Sequence, residues 1–333
     1  MKFSGRPNNY PLQSRAALIL IAVLSLTQNS FADDSAAKPA IAKSFMVIST
    51  GARNSDEYLL GSSICQLVNL RSKDTNIYCS ITSSSGAIMN VDRARRGNAD
   101  FIILKSSKII QAIKGSPAFA NPRPFKDLRA VMTGYTQDLT VLASTKLNID
   151  GFKDLQGKTI NVDTDPDGAA SLLELVNGES KDAFIVDKQN TDFAKQSEIL
   201  CSDGGATIAI ETAHKNVELS RLAERCNLKL IGLDQSLTKQ LVAKNSYLSE
   251  TVIAANTYRN QPSDLQTVGE GVTVVTNKST DPKLVNNLVS SVIGQLTRFK
   301  NSMPFLKNAN VLDLKPKSDF ILMYPGIEGN FEQ

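Results

Sequence analysis

An α/β fold in two lobes, with a ligand cleft between them, is what the 333-residue sequence predicts. Three observations carry that reading. Short apolar runs of strand length alternate with stretches of helical period from Phe45 onward, the pattern of βα units and a largely parallel sheet. Ten strand candidates are too many for one sheet at this length, so two lobes fit better. Two extended stretches, Leu139–Ala143 and Val252–Tyr258, stand where a chain would leave the first lobe and return to it. The expected limits are 45–139 plus 252–333 for a discontinuous first lobe and 140–251 for the second.

Residues 1–32 read as an export signal. Lys2, Arg6 and Arg15 precede the apolar run Ala16–Leu26, and Ser30-Phe31-Ala32 offers small residues at both cleavage positions. The run is short of the roughly 20 residues a bilayer span needs; an uncleaved anchor is the alternative. Residues 33–44 are small and polar, a linker. The stretch that organises the rest follows, Phe45–Cys65. Phe45–Ile48 suits a strand buried on both faces, and Thr50-Gly51 breaks it. Asn54 or Ser55 can cap a helix that carries Asp56 and Glu57 in its positive first turn. A polar loop thus sits at the carboxyl end of a strand, where open α/β sheets bind ligands.

Further strands are expected at Ile77–Ile81, Phe101–Leu104, Leu128–Met132, Leu139–Ala143, Thr159–Val162, Ala206–Ile210, Leu228–Leu233, Val252–Ala255 and Val272–Thr276. Helical patterns run from Ile88 to Arg95 with a stop at Gly97, from Ser106 to Ile113 with a stop at Gly115, and through Leu172, Leu173 and Val176 to Gly178. Leu237, Leu241 and Val242 mark another. Leu284, Leu288, Val292, Leu296 and Phe299 form one long amphipathic stripe.

Composition narrows the function. The chain is 41% hydrophobic and 21% charged, which is globular. Its net charge of +4 falls to about +1 without the signal's three basic residues, so it is no sign of a nucleic-acid partner. Arg93, Arg95 and Arg96 lack interleaved aromatics and read as a solvated helix face. His214 is the only histidine, which excludes a multi-histidine metal site or a histidine relay within one chain. It reads as a hydrogen-bonding loop residue. No Walker A, Rossmann glycine pattern or Gly-x-Ser-x-Gly elbow is present, and Ser236-Leu-Thr-Lys239 lacks the partner motifs of penicillin-binding enzymes. Four cysteines in an exported chain allow three disulfide pairings, of which Cys65/Cys79 and Cys201/Cys226 are the local choices; four buried thiols are the alternative.

Several stretches, in order, resemble a known family. They are Ser49-Thr50-Gly51 with Tyr58, Gly61 and Cys65; Cys79-Ser80-Ile81; Arg95-Arg96-Gly97-Asn98-Ala99-Asp100-Phe101; Asp127-Leu128-Arg129-Ala130-Val131; Asp154-Leu155-x-Gly157-Lys158; Leu200-Cys201; Asn245-Ser246-Tyr247; Thr257-Tyr258; and Tyr324-Pro325-Gly326. From Phe45 to Phe331 the chain is similar to the TAXI-type solute-binding proteins of tripartite ATP-independent periplasmic (TRAP) transporters. The resemblance implies a two-lobed periplasmic binding protein, type II-like, without catalysis. It would capture a small organic acid or amino acid and hand it to a membrane permease. The family's four-cysteine members would pair these cysteines locally.

The lining departs from the family pattern. Glu57 replaces a tyrosine, Lys105-Ser106-Ser107 stands for Gln-Ser-Asp, and Asp165-Pro166-Asp167-Gly168-Ala169-Ala170 lacks the family's arginine, while His214 is kept. The expected ligand-binding residues, all after strand candidates, are Thr50, Arg53, Glu57, Tyr58, Ser84, Ser85, Lys105, Gln137, Asp167, Glu211 and His214. Asp56, Glu57, Asp138, Asp165, Asp167 and Glu211 outnumber Arg53, Lys105 and Lys215 there, which suits an amine, a zwitterion or a metal-bridged anion better than a bare carboxylate. Asp163, Asp165, Asp167 and Glu174, with Gly168 between, also fit the Asp-x-Asp-x-Asp-Gly-x5-Glu calcium pattern; helix capping by the acids is the simpler alternative. No other cofactor is expected. A repurposed, non-transport binding, sensor or surface antigen protein on the same fold, with an altered or lost ligand site, is the second functional reading.

Overall fold

The computed structural model describes residues 43–119, 121–163, 168–181, 183–189, 193–202 and 204–332. The expected signal and most of the linker lie outside them. The chain begins with β1 (Ser44–Ser49), α1 (Asp56–Leu70), a short α2 (Ser72–Thr75) and β2 (Ile77–Thr82). Then come α3 (Ala87–Arg95), β3 (Phe101–Lys105), α4 (Ser106–Lys114) and a 17-residue β4 (Leu128–Ser144). The middle of the chain forms β5 (Thr159–Asp163), α5 (Ala170–Glu179), β6 (Ile185–Gln189), α6 (Phe193–Cys201), β7 (Thr207–Thr212), α7 (Val217–Arg225), β8 (Leu228–Ile231), α8 (Gln235–Lys244) and β9 (Leu248–Ile253). A 13-residue β10 (Leu265–Asn277), α9 (Pro282–Ile293) and α10 (Leu296–Ser302) complete it. None of the described helices is long and apolar enough to cross a membrane.

The expectation of two separate, largely parallel sheets is corrected. The described strands form one ten-stranded sheet, ordered β2-β1-β3-β10-β4-β7-β5-β6, with β8 also on β4 and β9 also on β10. Among the described strands, β1 pairs in parallel with β2 and β3, and β5 with β6 and β7. β10 runs antiparallel to β3, β4 and β9, and β4 antiparallel to β7 and β8. The cause is the length of β4 and β10. Each pairs in one lobe, crosses, and goes on pairing in the other, with register shifts at Val272/Thr273 and Val274/Val275 of β10.

Each lobe has apolar clusters on both faces of its part of the sheet. In the first, Met46, Ile48 and Ile103 meet α1, α9 and α10, while Ile102 and Leu104 meet α3 and α4. This alternation follows from side chains pointing to opposite faces of a strand. In the second, Leu139, Val141 and Ala143 of β4 meet α5 and α8, while Leu142 and Ile208 meet α6 and α7. The core side of Val268 lies with the second lobe and that of Val272 with the first. The return crossing is therefore at Gly269–Gly271 of β10; Tyr258, expected to lie on it, packs in the second lobe. Two disulfides each staple one lobe, Cys65–Cys79 joining α1 to β2 and Cys201–Cys226 joining the ends of α6 and α7.

Candidate functional site

The site forms where the two long strands cross. β4 pairs with β10 up to Asp138↔Gly269 and Gln137↔Glu270, and Asp138 then faces Thr212 of β7. The backbones approach closely there. A Cβ on Gly269 would stand 2.3 Å from Asp138 Oδ1 and 2.8 Å from the Gln137 carbonyl oxygen. Glycine is thus needed for the space it leaves. Around this crossing converge the carboxyl end of β3 with Lys105, the N-terminus of α4, the first turn of α1 with Asp56 and Glu57, and the end of β7 with Glu211.

Lys105 and Glu211 form an ion pair across the cleft, with side chains only 9% and 4% exposed. Burial opposes the Lys105 charge, but Glu211, Glu270 and Glu57 outweigh it and hold its pKa above the ordinary lysine range. Glu211 is pushed up to about 7 by burial, against the pull of Lys105 and with a further push from Glu270. Glu270 and Glu57 have partners too, whereas Asp138 Oδ1 is buried without one among the described residues. Glu270 accepts from the Ser107 backbone N–H at 2.9 Å, at the positive end of α4, and Glu57 accepts from Gln137 Nε2 at 2.9 Å. Burial, with the charge of Glu57 beside it, raises Asp56 to about 6, opposed by the Ala213 backbone and the Thr212 side chain. Asp138 is raised to about 7 by burial. Beside the ion pair a cavity of about 90 Å³ is lined from both lobes, by Lys105, Lys108 and Glu270 and by Ser171, Glu211 and Tyr247 among others.

The expected ligand residues divide. Glu57, Lys105, Gln137 and Glu211 come together. Thr50 and Ser84 instead bond backbone: Thr50 Oγ1 donates to the Thr82 carbonyl at 3.2 Å, and Ser84 Oγ donates to the Thr50 carbonyl at 2.6 Å. Arg53 and Ser85 are exposed, and Tyr58 is half-buried in a helix turn whose cap is Ser55. His214 braces the crossing. Thr140 Oγ1 donates to the Asp138 carbonyl, so at 3.0 Å it accepts from His214 Nε2–H. Tyr258 Oη accepts the Asn216 N–H and donates to His214 Nδ1 at 2.7 Å. The ring is the neutral Nε2–H tautomer, and burial lowers its pKa to about 4. Asp165 and Asp167 lie outside the described residues, as does the side chain of Asp163. Glu174 pairs with Lys188 at 2.7 Å. Among the described residues no cluster fit to hold a metal occurs.

Glu270, Lys108 and Tyr247 were not among the residues expected at the site from the sequence. Gly269-Glu270-Gly271 was the available signal for the first, because glycines flanking an acid within a strand mark a close approach. The arginine cluster also needs correction. Arg93 donates to Ser49 Oγ at 2.8 Å and the Ser83 carbonyl at 2.9 Å, and Arg95 lies over the Phe125 ring at 4.5 Å. Only Arg96, paired with Asp92 at 3.0 Å, is the solvated helix face expected.

Solved structures of solute-binding proteins share this fold. A TctC solute-binding protein from Polaromonas, with no ligand, aligns with a TM-score of 0.54 and 11% identity, covering 80% of this chain and 88% of that one. PhnD1 from Prochlorococcus marinus, in complex with methylphosphonate, aligns with a TM-score of 0.52 and 10% identity, covering 86% and 97%. A search among curated proteins finds no match. The NMT1-like family model matches residues 48–326, nearly the whole of the two lobes. The chain therefore belongs to the NMT1-like family.

Proposed function

We propose that this protein is the exported, periplasmic solute-binding subunit of a TRAP-type transporter of the TAXI class. It captures a small organic acid or amino acid in the cleft and delivers it to a membrane permease. The observation that carries the reading is the charged, two-sided site at the crossing of β4 and β10, walled by strand ends and helix N-termini of both lobes. The motif order of the sequence supports the TAXI class and the permease as partner. No reaction is assigned to the site, and no cofactor is required for capture. Calcium at Asp163, Asp165, Asp167 and Glu174 is a separate proposal, tested by calorimetric titration of chelator-treated protein with Glu174→Gln as control.

One observation favours the second reading, a repurposed protein on the same fold with an altered or lost ligand site: the buried lysine of the cleft is already paired with a glutamate of the protein itself. A thermal-shift screen against amino acids, dicarboxylates, polyamines and divalent metals decides between them. A solute that binds only the folded state raises the melting temperature, by about 2.7 kcal/mol of stability at a hundred times its Kd. Transport predicts such a shift from one class; the absence of any shift across the panel would leave the second reading.

A further inference from the structure

We propose that Glu211 is an internal ligand: its carboxylate occupies, on Lys105, the place taken by a solute's anionic group, so it holds the lobes shut without solute and an anionic solute binds only by displacing it. The proposal rests on the solute-binding reading above and names the residue that receives the solute and the residue that competes with it.

The pair is a contact of the closed state. Lys105 ends β3 in the first lobe and Glu211 stands in β7 of the second, 106 residues away. Both side chains are almost wholly buried, and opening the cleft separates them into water. The pair also fills the site rather than flanking it. The space left beside it is about 90 Å³, room for about three waters at ~30 Å³ each, whereas ligand pockets run to about 300–1,000 Å³. A solute enters once the Glu211 side chain leaves.

Charge makes the exchange specific. Lys105 already faces Glu211, Glu270 and Glu57. A solute carboxylate added to all three would be buried against like charge. Replacing Glu211 instead conserves the charge, because one carboxylate leaves for water as another arrives. Glu270 and Glu57 are retained in this exchange, since the Ser107 N–H and Gln137 hold them from within the first lobe and the crossing. The remaining cation of the wall, Lys108, is on α4, one turn beyond Lys105.

The test compares wild type, Glu211→Gln and Lys105→Met, each first shown by its melting curve to be folded. Small-angle scattering without added solute should give a compact wild type and a larger radius of gyration for both variants. A Lys105→Glu/Glu211→Lys double variant, with the pair reversed, should return to the compact form. Calorimetric titration with succinate and L-glutamate should show Glu211→Gln binding at least one of them ten-fold or more tighter than wild type, and Lys105→Met binding neither. Scattering from Glu211→Gln identical to wild type overturns the proposal, and so does a Glu211→Gln protein that binds both acids no better than wild type. The transport reading falls separately: it survives that second result if an uncharged or cationic solute from the wider screen shifts the wild type.

Discussion

Glu211, Asp138 and Asp56 bind protons more tightly folded than unfolded, and His214 does the reverse. The three acids rise from ordinary values of 4.5, 3.8 and 3.8 to about 7, 7 and 6. Between the two values of each, the folded state holds a proton that the unfolded chain has lost. Their contribution is present at low pH and is lost as pH rises toward 7. His214 falls from 6.5 to about 4, so in that interval the unfolded chain holds the extra proton and stability grows with pH. Three groups oppose one. The melting temperature should therefore fall as pH rises from about 5 to 7.5, and His214→Gln should fall more steeply. A calorimetric scan series over that range tests both, and a flat or rising wild-type profile refutes the assignment. Gly269→Ala belongs to the same scale. Its Cβ would meet Asp138 Oδ1 and Gln137 backbone, which costs about 1–3 kcal/mol of overpacking and lowers the urea midpoint.

Local elements were legible wherever one face of a strand or helix was marked by sequence. The Ser55 cap, with Tyr58 N–H donating to Ser55 Oγ at 3.2 Å, follows from the acid-rich turn after it. Ser55→Ala should cost about 1 kcal/mol. α6 was missed because its buried face is mostly polar, Gln196 and Ser197 beside Leu200, whereas Leu219, Leu222 and Ala223 of α7 stand at helical spacing and were there to be read. β6 was missed because it is a sheet edge, with Ile185 exposed. The stripe from Leu284 to Phe299 was read as one helix and is two, since Gly294 and Gln295 interrupt it while the apolar face continues. The disulfides act at this scale. Cys65→Ser/Cys79→Ser removes a bridge across 14 positions and should cost about 3 kcal/mol in the chain-entropy model, read as a lower denaturation midpoint. Peptide mapping without reductant should recover both local pairs.

At the scale of the molecule, one continuous sheet joins the two lobes, and the proposed capture of a solute asks them to move. The moving parts are few, because only β4 and β10 cross and both do so at the site. If a solute closes the lobes, binding and closure are expected to couple through Gln137, Asp138, Gly269 and Glu270, which lie at the crossing. A solute that raises the melting temperature should also leave the protein compact in scattering; a bound protein as expanded as an open variant would break that coupling.

The alternation of strands and helices, the two-lobed class and half of the site were determined by sequence, because buried strands and capped helices leave local patterns of period and polarity. Glu57, Lys105, Gln137 and Glu211 were reached that way, Glu57 in the helix turn that follows a strand candidate and the others beyond the end of one. Tertiary structure decided what the charges do. Position alone could not separate Thr50 and Ser84, which bond backbone, from Lys105, nor pair a lysine with a glutamate 106 residues away. It also decided that ten strands make one sheet, since whether a long strand ends at a lobe or passes through it depends on the neighbours that satisfy its backbone.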